Sequence, residues 1–514
     1  MTADPLFPNA PLHDWVRPVR FAFVDDRPDL GGTSERFVQA FVDGLRAAAH
    51  EAGHSIGEPD EATDAFISTA RYGVPIAWRE SMMFVGRGKY RLEAKPALYT
   101  VVHVRPDELR DEIERFELAL QPDAPDAAAF ARPGLAERSP GVLYTQGRRG
   151  GPMMAIARVA QAQAKSLRVV LAVGDDEPTS AYLIDLAGAY PHIHCVEPRS
   201  FYRELVDRMA TALSTREIAE HRADGPAVSL ETWDQLPTPR AMLRVSRELG
   251  RRSFFTTKVL IGDLVRVPAI TGTIASQYSE GCFSTWDPVL ESMVITATGS
   301  ERPIDKGDLG ERDMAVVTGI TEPRTGALFR PIEDLADSGP SSEAVEFRLI
   351  DDRLPWIDVH LDAVPRRVPV VRSKLHGHRG VSAYDPSSVE YVPLAPSYFR
   401  YLVSCSTEAQ AWAIEEAFTR AQCLLDPGDH RAIAFTVLPG HGMLAVEKWH
   451  PDQPPFQLLL DAMADGRLEI SNRVPQGPFE YGEEPGSSRR HALLPDATEF
   501  TAPNTSTFRG SNRG

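Results

Sequence analysis

The chain reads as an α/β protein, with two doubly wound α/β modules followed by a β-rich C-terminal domain built on a mixed or antiparallel, barrel-like sheet. Three observations predict this. Strand-length apolar runs alternate with helical patterns up to about residue 240, as in βα units on a parallel sheet. A stretch rich in Pro, Ala and Asp, QPDAPDAAAFARPGLAERSPG (121–141), splits that alternation in two. From about Met242, short β-prone runs between Pro/Gly turns take over. The expected boundaries are 17–135 for the first module, 141–240 for the second, 241–476 for the β-rich domain and 477–514 for a disordered tail.

Residues 1–16 are Pro-rich and read as an arm. VRFAFVDD (Val19–Asp26) is a buried strand entering a polar turn, and SERFVQAFVDGLRAAAHEAG is a helix with Phe37, Phe41 and Leu45 four apart on one face. YGVPIAWRES carries Trp78, Arg79 and Glu80, residue types typical of a subunit contact, so a homo-oligomer is expected. ALYTVVHV (Ala97–Val104) is a strand and DELRDEIERFELAL a charged helix. In the second module Gly147, Gly150 and Gly151, with two arginines, form either a positive-φ turn or an anion-receiving loop. LRVVLAVGDD is the next strand, and YPHIHCVEP places His192, His194 and Cys195 in a loop or core. RSFYRELVDRMATAL is a helix with Phe201, Leu205, Met209 and Leu213 on one face. Beyond it SFFTTKVLIG, MAVVTGI, GALFRPI, AVEFRLI, VPVVRSKL, VEYVPL and FRYLVSC read as strands. TEAQAWAIEEAFTRAQCLL interrupts them as a helix, opened by a Thr407–Gln410 capping pattern.

Composition excludes several function classes. With 55 Lys and Arg against 72 Asp and Glu, the net charge is −17, which argues against a partner built on phosphate, whether nucleic acid or anionic membrane. No apolar run approaches the length of a membrane span, and MTADPLFPNAPLHDW lacks the basic-then-apolar order of a signal peptide, so the cytoplasm is expected. Cys195, Cys282, Cys405 and Cys423 form no CxxC pair and read as free thiols. GxSxG, HExxH, EF-hand and Walker motifs are absent, which disfavours nicotinamide and ATP chemistry.

Chemistry concentrates in three segments. In Thr271–Asp308, Glu280 precedes a mostly apolar, helix-compatible stretch, Pro288–Ala297, and Asp305 follows it. Two carboxylates flanking a buried element can converge on a hard cation or a proton shuttle; the competing reading is an N-cap and a loop aspartate. VPVVRSKLHGHRG (Val368–Gly380) sets Arg372, Lys374, His376, His378 and Arg379 at a strand end, with both imidazoles on one side. The alternative there is a solvated cationic loop. FTVLPGHGMLAVEKW holds His441 in a tight turn between strands.

Glu280 opening a segment and Asp305 closing it after TGSERPID resembles the L-fucose isomerase family of metal-dependent aldose–ketose isomerases, over this stretch and the three-part architecture. The resemblance implies a divalent metal, Mn²⁺, held by Glu280, Asp305 and one of His376, His378 and His441. One carboxylate would then move a proton through an ene-diol on a free sugar substrate, with Arg372, Lys374 or Arg379 binding its polar groups. The rival readings are another metal-assisted epimerase, lyase or hydrolase on a polyhydroxylated substrate, and a non-catalytic carbohydrate-binding protein.

Overall fold

The structure, a computed structural model, describes residues 16–23, 32–58, 60, 62–71, 97–108, 167–185, 188–189, 193–215, 218–252, 254–255, 281–298, 304–322, 324–333, 339–361, 363–395, 406–438, 442–450, 452–471 and 492–493. The first part of the chain forms β1 (Arg20–Phe23), α1 (Gly32–Glu51), β2 (Ser55–Gly57), β3 (Ala65–Arg71), β4 (Ala97–Val104), β5 (Leu167–Gly174), β6 (Pro178–Asp185), β7 (Gly188–Ala189), β8 (Ile193–His194) and α2 (Pro198–Ser214). These strands make one sheet in the order β2-β1-β3-β4-β5-β6-β7, with β8 also on β6. The run from β2 to β5 is parallel, whereas β6 returns antiparallel. β4 pairs with β5 from Leu98↔Leu167 to Val104↔Val173, so the stretches expected as separate modules contribute to one sheet.

The helical stripes read from the sequence are the ones that pack. Phe37, Phe41 and Leu45 of α1 share a core with Phe201, Leu205 and Met209 of α2 and with Tyr99 and Val101 of β4. Phe41 meets Phe201 and Tyr202 edge-on, with ring centroids 6.0 and 5.3 Å apart. Glu197 accepts hydrogen bonds from the Arg199 and Ser200 amides and so caps α2, with Pro198 in the first turn where no amide is needed.

The second part comprises β9 (Arg222–Ala223), α3 (Leu230–Gln235), α4 (Pro237–Arg251), β10 (Cys282–Asp287), β11 (Ser292–Thr296), β12 (Met314–Ile320), β13 (Ala327–Arg330), α5 (Ala344–Arg353), β14 (Trp356–Leu361), β15 (Val364–Pro369), β16 (Val371–Gly377), β17 (Gly380–Tyr384), β18 (Val389–Tyr391), α6 (Glu408–Phe418), α7 (Gln422–Leu425), β19 (Ile433–Leu438), β20 (Gly442–Lys448), α8 (Gln457–Ala464), β21 (Leu468–Ser471) and β22 (Ala492–Leu493). Nine strands form a mixed sheet, β18-β19-β20-β16-β10-β11-β12-β13-β9. Among the described residues this sheet is open, ending at β18 and β9, and does not close into the expected barrel. One face packs on α5 and α6 through Cys282, Met293, Phe347 and Ile414. The other packs on α4 and α8 through Phe283, Val294, Met242 and Leu459. The boundary expected at 240 falls inside α4, and β9 already pairs with β13, so this layer includes the chain from Arg222 on.

Three local expectations change. Pro288–Ala297 is not helical: β10 and β11 form a hairpin whose turn is held by Asp287 Oδ1, which accepts from the Val289 and Leu290 amides at 2.8 Å. Glu291 takes φ 49° there, and the β-branched Val294, Ile295 and Thr296 suit the strand that follows. AVEFRLI is helix α5 rather than a strand, because Phe347, Ile350 and Leu354, three and four apart, bury one stripe. Within the expected tail, Ala492 and Leu493 pair with Tyr384 and Ala383. The expected Thr407 cap is present, accepting from the Gln410 amide.

α8 is anchored from the sheet. Glu447 of β20 accepts from the Phe456 amide at 2.8 Å, the Leu459 amide at 3.0 Å and the Ser373 hydroxyl at 3.1 Å, so a strand carboxylate caps this helix. Among the described residues no helix is long and apolar enough to cross a membrane.

Candidate functional site

Polar side chains gather where β10, β16 and β20 meet the start of α5. Cys282 lies opposite His376 across the β10–β16 pair, and His376 lies opposite Leu444 across β16–β20. Two glycines let the backbones close in. Gly281 has φ +92°, and a Cβ there would stand 2.7 Å from the His376 carbonyl oxygen. Gly442 has φ +146°, and its Cβ would stand 2.0 Å from the Gly377 oxygen and 2.7 Å from the His378 Cα. The sequence neighbours of Glu280 and His441 therefore abut the two-histidine segment. Glu280 and His441 themselves lie outside the described residues, as do Trp78, Arg79, Glu80, His192 and Gly147, Gly150 and Gly151.

His376 is buried, with Nδ1 2.9 Å from the Met443 carbonyl oxygen, to which an Nδ1–H donates. Its ring centroid is 5.2 Å from that of His378. Burial first, then the neighbouring His378, lower its pKa to about 4. The imidazole is thus neutral at pH 7 and turns its lone pair, on Nε2, away from Met443. The two rings lie together at the end of β16, His376 within the strand and His378 in the bend that follows.

Across from them stand two carboxyl groups that the sequence reading passed over. Glu343 precedes α5 and accepts from the Ser341 hydroxyl at 2.5 Å and from the Ser342 hydroxyl at 3.1 Å. Glu346, one turn on and 1 % exposed, has its pKa raised well above the carboxylate range by burial and then by Glu343. Burial and Glu343 likewise hold the Cys282 thiol protonated, so it is no nucleophile. Lys306 is buried close enough to act electrostatically on both Cys282 and His376. Its neighbour Asp305 accepts from the Gly307 amide at 2.9 Å, as a turn aspartate does.

The three cations expected to bind substrate are engaged by the protein itself. Lys374 is fully buried, with Nζ 2.6 Å from Asp351 Oδ1, also fully buried. The ammonium expected to face substrate is turned toward Asp351 on α5. Arg372 stacks over Trp449 at 4.5 Å and donates to the His450 and Gln453 carbonyls. Arg379 is buried and donates to the Arg252 carbonyl at 3.3 Å. The solvated cationic loop that competed for Arg372–Arg379 is largely strand β16, fourth of nine in the sheet.

Among the described residues no group of three His, Cys, Asp or Glu side chains is arranged to hold a metal ion, and Glu280 and His441 of the expected Mn²⁺ centre lie outside them. Glu343 acts electrostatically on His376, on Glu346 and on the Cys282 thiol, so these groups share one buried neighbourhood. The signal for the carboxyls was present in SSEAVEFRLI, where Glu343 and Glu346 sit three apart, as on one helical stripe. No family model, no curated protein and no solved structure matches this chain.

Proposed function

We propose that this chain is an aldose–ketose isomerase acting on a free sugar by proton transfer through an ene-diol. The observation that carries the reading is Glu343, which accepts from two serine hydroxyls and acts electrostatically both on Glu346, one turn on with its pKa raised by burial, and on neutral His376. Carboxyl pairs whose environments push their pKa values apart divide into base and acid. Glu343, as the carboxylate, takes the proton from the carbon next to the carbonyl and returns it to the neighbouring carbon. Glu346, protonated, donates a hydrogen bond to the carbonyl oxygen as charge develops there. His376, through Nε2, accepts from the adjacent hydroxyl and steadies its proton as it shifts. No step is assigned to Mn²⁺, whose expected ligands Glu280 and His441 lie outside the described residues.

The doubly wound organisation of the first part belongs to the same proposal. The parallel run β2-β1-β3-β4-β5 and the two helices packed against it support it.

The test is a panel of aldopentoses and aldohexoses incubated with purified protein in D₂O, with and without Mn²⁺, followed by NMR. Ketose formation with deuterium at the carbon beside the carbonyl is expected. Glu343→Gln should lower the rate at least about a hundredfold while the protein still melts cooperatively. No exchange on any sugar under either condition sinks the reading, and sugar binding without exchange points to a binding protein instead.

A further inference from the structure

The exposed side of α4 carries a row of arginines: Arg240, Arg244, Arg247 and Arg251, spaced four, three and four apart and all exposed. That spacing puts them on one helical stripe. In a chain of net charge −17 such a row is not what composition supplies. The helix dipole accounts for a cation in the last turn, Arg251, but not for Arg244 and Arg247 further back.

The C-terminal half of the stripe faces α8 across a groove of about 340 Å³. That volume lies within the range of small-ligand sites, roughly 300–1,000 Å³. Arg244, Arg247, Arg251 and Arg252 line it with Glu248 and Asp461, so four guanidiniums against two carboxylates leave two positive charges in excess. The carboxylates are already occupied. Glu248 accepts from Arg251 at 2.8 Å and from Arg252 at 3.0 Å, and Asp461 accepts from Gln457 at 2.7 Å. Gln457 also holds Arg244, at 2.9 Å. Among the described residues Arg247 has neither a hydrogen bond nor an ion pair. The groove thus holds one uncommitted guanidinium among arginines whose forks are already braced.

We infer that this groove binds a small polyanion bearing two oxyanion groups, phosphate or carboxylate, about one helical turn apart. Guanidinium forks match oxyanions bidentately, and Arg244, Arg247 and Arg251 present them at that interval. A long polyanion is disfavoured, because the groove is short and the rest of the surface is acidic. The site is distinct from the buried groups around His376. The two are linked through Arg252, whose side chain lines the groove and whose carbonyl receives Arg379.

Calorimetric titration of the full chain with inorganic pyrophosphate and with citrate tests this, and the two arms separate phosphate from carboxylate recognition. At least one should bind with a dissociation constant below about 1 mM, weakening at least about fivefold between roughly 20 and 200 mM salt. Arg247→Ala should weaken binding about tenfold or more, with Arg247→Lys intermediate and the melting temperature unchanged in both. Binding that is unaffected by Arg247→Ala, or absent for both probes, overturns the inference. So does a single-stranded RNA oligonucleotide that binds more tightly than either probe and depends on Arg247.

Discussion

Lys374 and Asp351 form an ion pair with both side chains fully buried, and its removal is the most direct test of how this sheet is held to α5. Their contact is 2.6 Å, and Lys374 Nζ also lies 3.9 Å from Met293 Sδ. Burial is the dominant influence on each group, raising the Asp351 pKa and lowering that of Lys374, while each opposes the shift in the other. Desolvation thus works against the pair and their mutual attraction offsets it. Asp351→Ala leaves the ammonium buried without its partner, which costs about 3–5 kcal/mol. Spread over a cooperative unit of this size, that lowers the melting temperature by roughly 10 °C. Replacing both partners with apolar groups of similar volume, Lys374→Met with Asp351→Leu, removes both desolvation penalties and should recover most of the loss. Thermal and urea melts of the two single variants and the double variant complete the cycle. A loss under about 1 kcal/mol in Asp351→Ala, or a double variant no more stable than the singles, refutes the reasoning. So would a Lys374→Met protein that melts like wild type but no longer binds sugar, since Lys374 would then serve substrate and not the core.

Two buried groups should shape the pH dependence of stability with opposite signs. His376 has a folded pKa of about 4 against an ordinary 6.5, so the unfolded chain binds more protons between these values and stability rises with pH across that window. Glu447, raised by burial from 4.5 to about 7 despite three donors, makes stability fall as pH rises through its own window. Each amounts to about 3 kcal/mol at most, so they largely cancel between pH 4.5 and 6.5. Urea melts in chelator-containing buffer should therefore be nearly flat there for wild type with respect to these groups, falling with pH in His376→Leu and rising in Glu447→Gln; two variants with parallel profiles contradict the assignment. Glu447→Ala should also cost about 2–3 kcal/mol by stripping the cap from α8, seen as faster amide exchange at Phe456 and Leu459 with little change in α6.

Elements with a single local period were legible in the sequence. α1 and α2 announced themselves through Phe37, Phe41 and Leu45 and through Phe201, Leu205 and Met209, and these are the residues in the core. AVEFRLI was not legible, because Val345, Phe347 and Leu349 alternate with Glu346 and Arg348 as on a half-buried strand, and only the stripe Phe347, Ile350, Leu354 separates helix from strand. Misreading it concealed Glu343 and Glu346 and also the partner of Lys374, since Asp351 lies on the same helix. The closeness of His376 and His378 was readable from their spacing but not from strand alternation alone, since β16 ends at Gly377 and His378 stands in the bend beyond it. The pairing of β4 with β5 left no local trace: register between strands so far apart is set by the whole sheet.

The order of strands in the nine-stranded sheet bears on how it assembles. β10 to β13 pair consecutively, and β19 and β20 form a hairpin, so each group closes only short loops or connections. β16 alone joins them, paired to β10 on one side and β20 on the other. That joining strand carries the buried ammonium of Lys374 and the buried imidazole of His376. Two halves with largely local contacts can form early, but uniting them means dehydrating both groups before their partners on α5 and β20 are in place. The barrier to folding then belongs to the docking of one polar strand, the last to exchange water for protein partners.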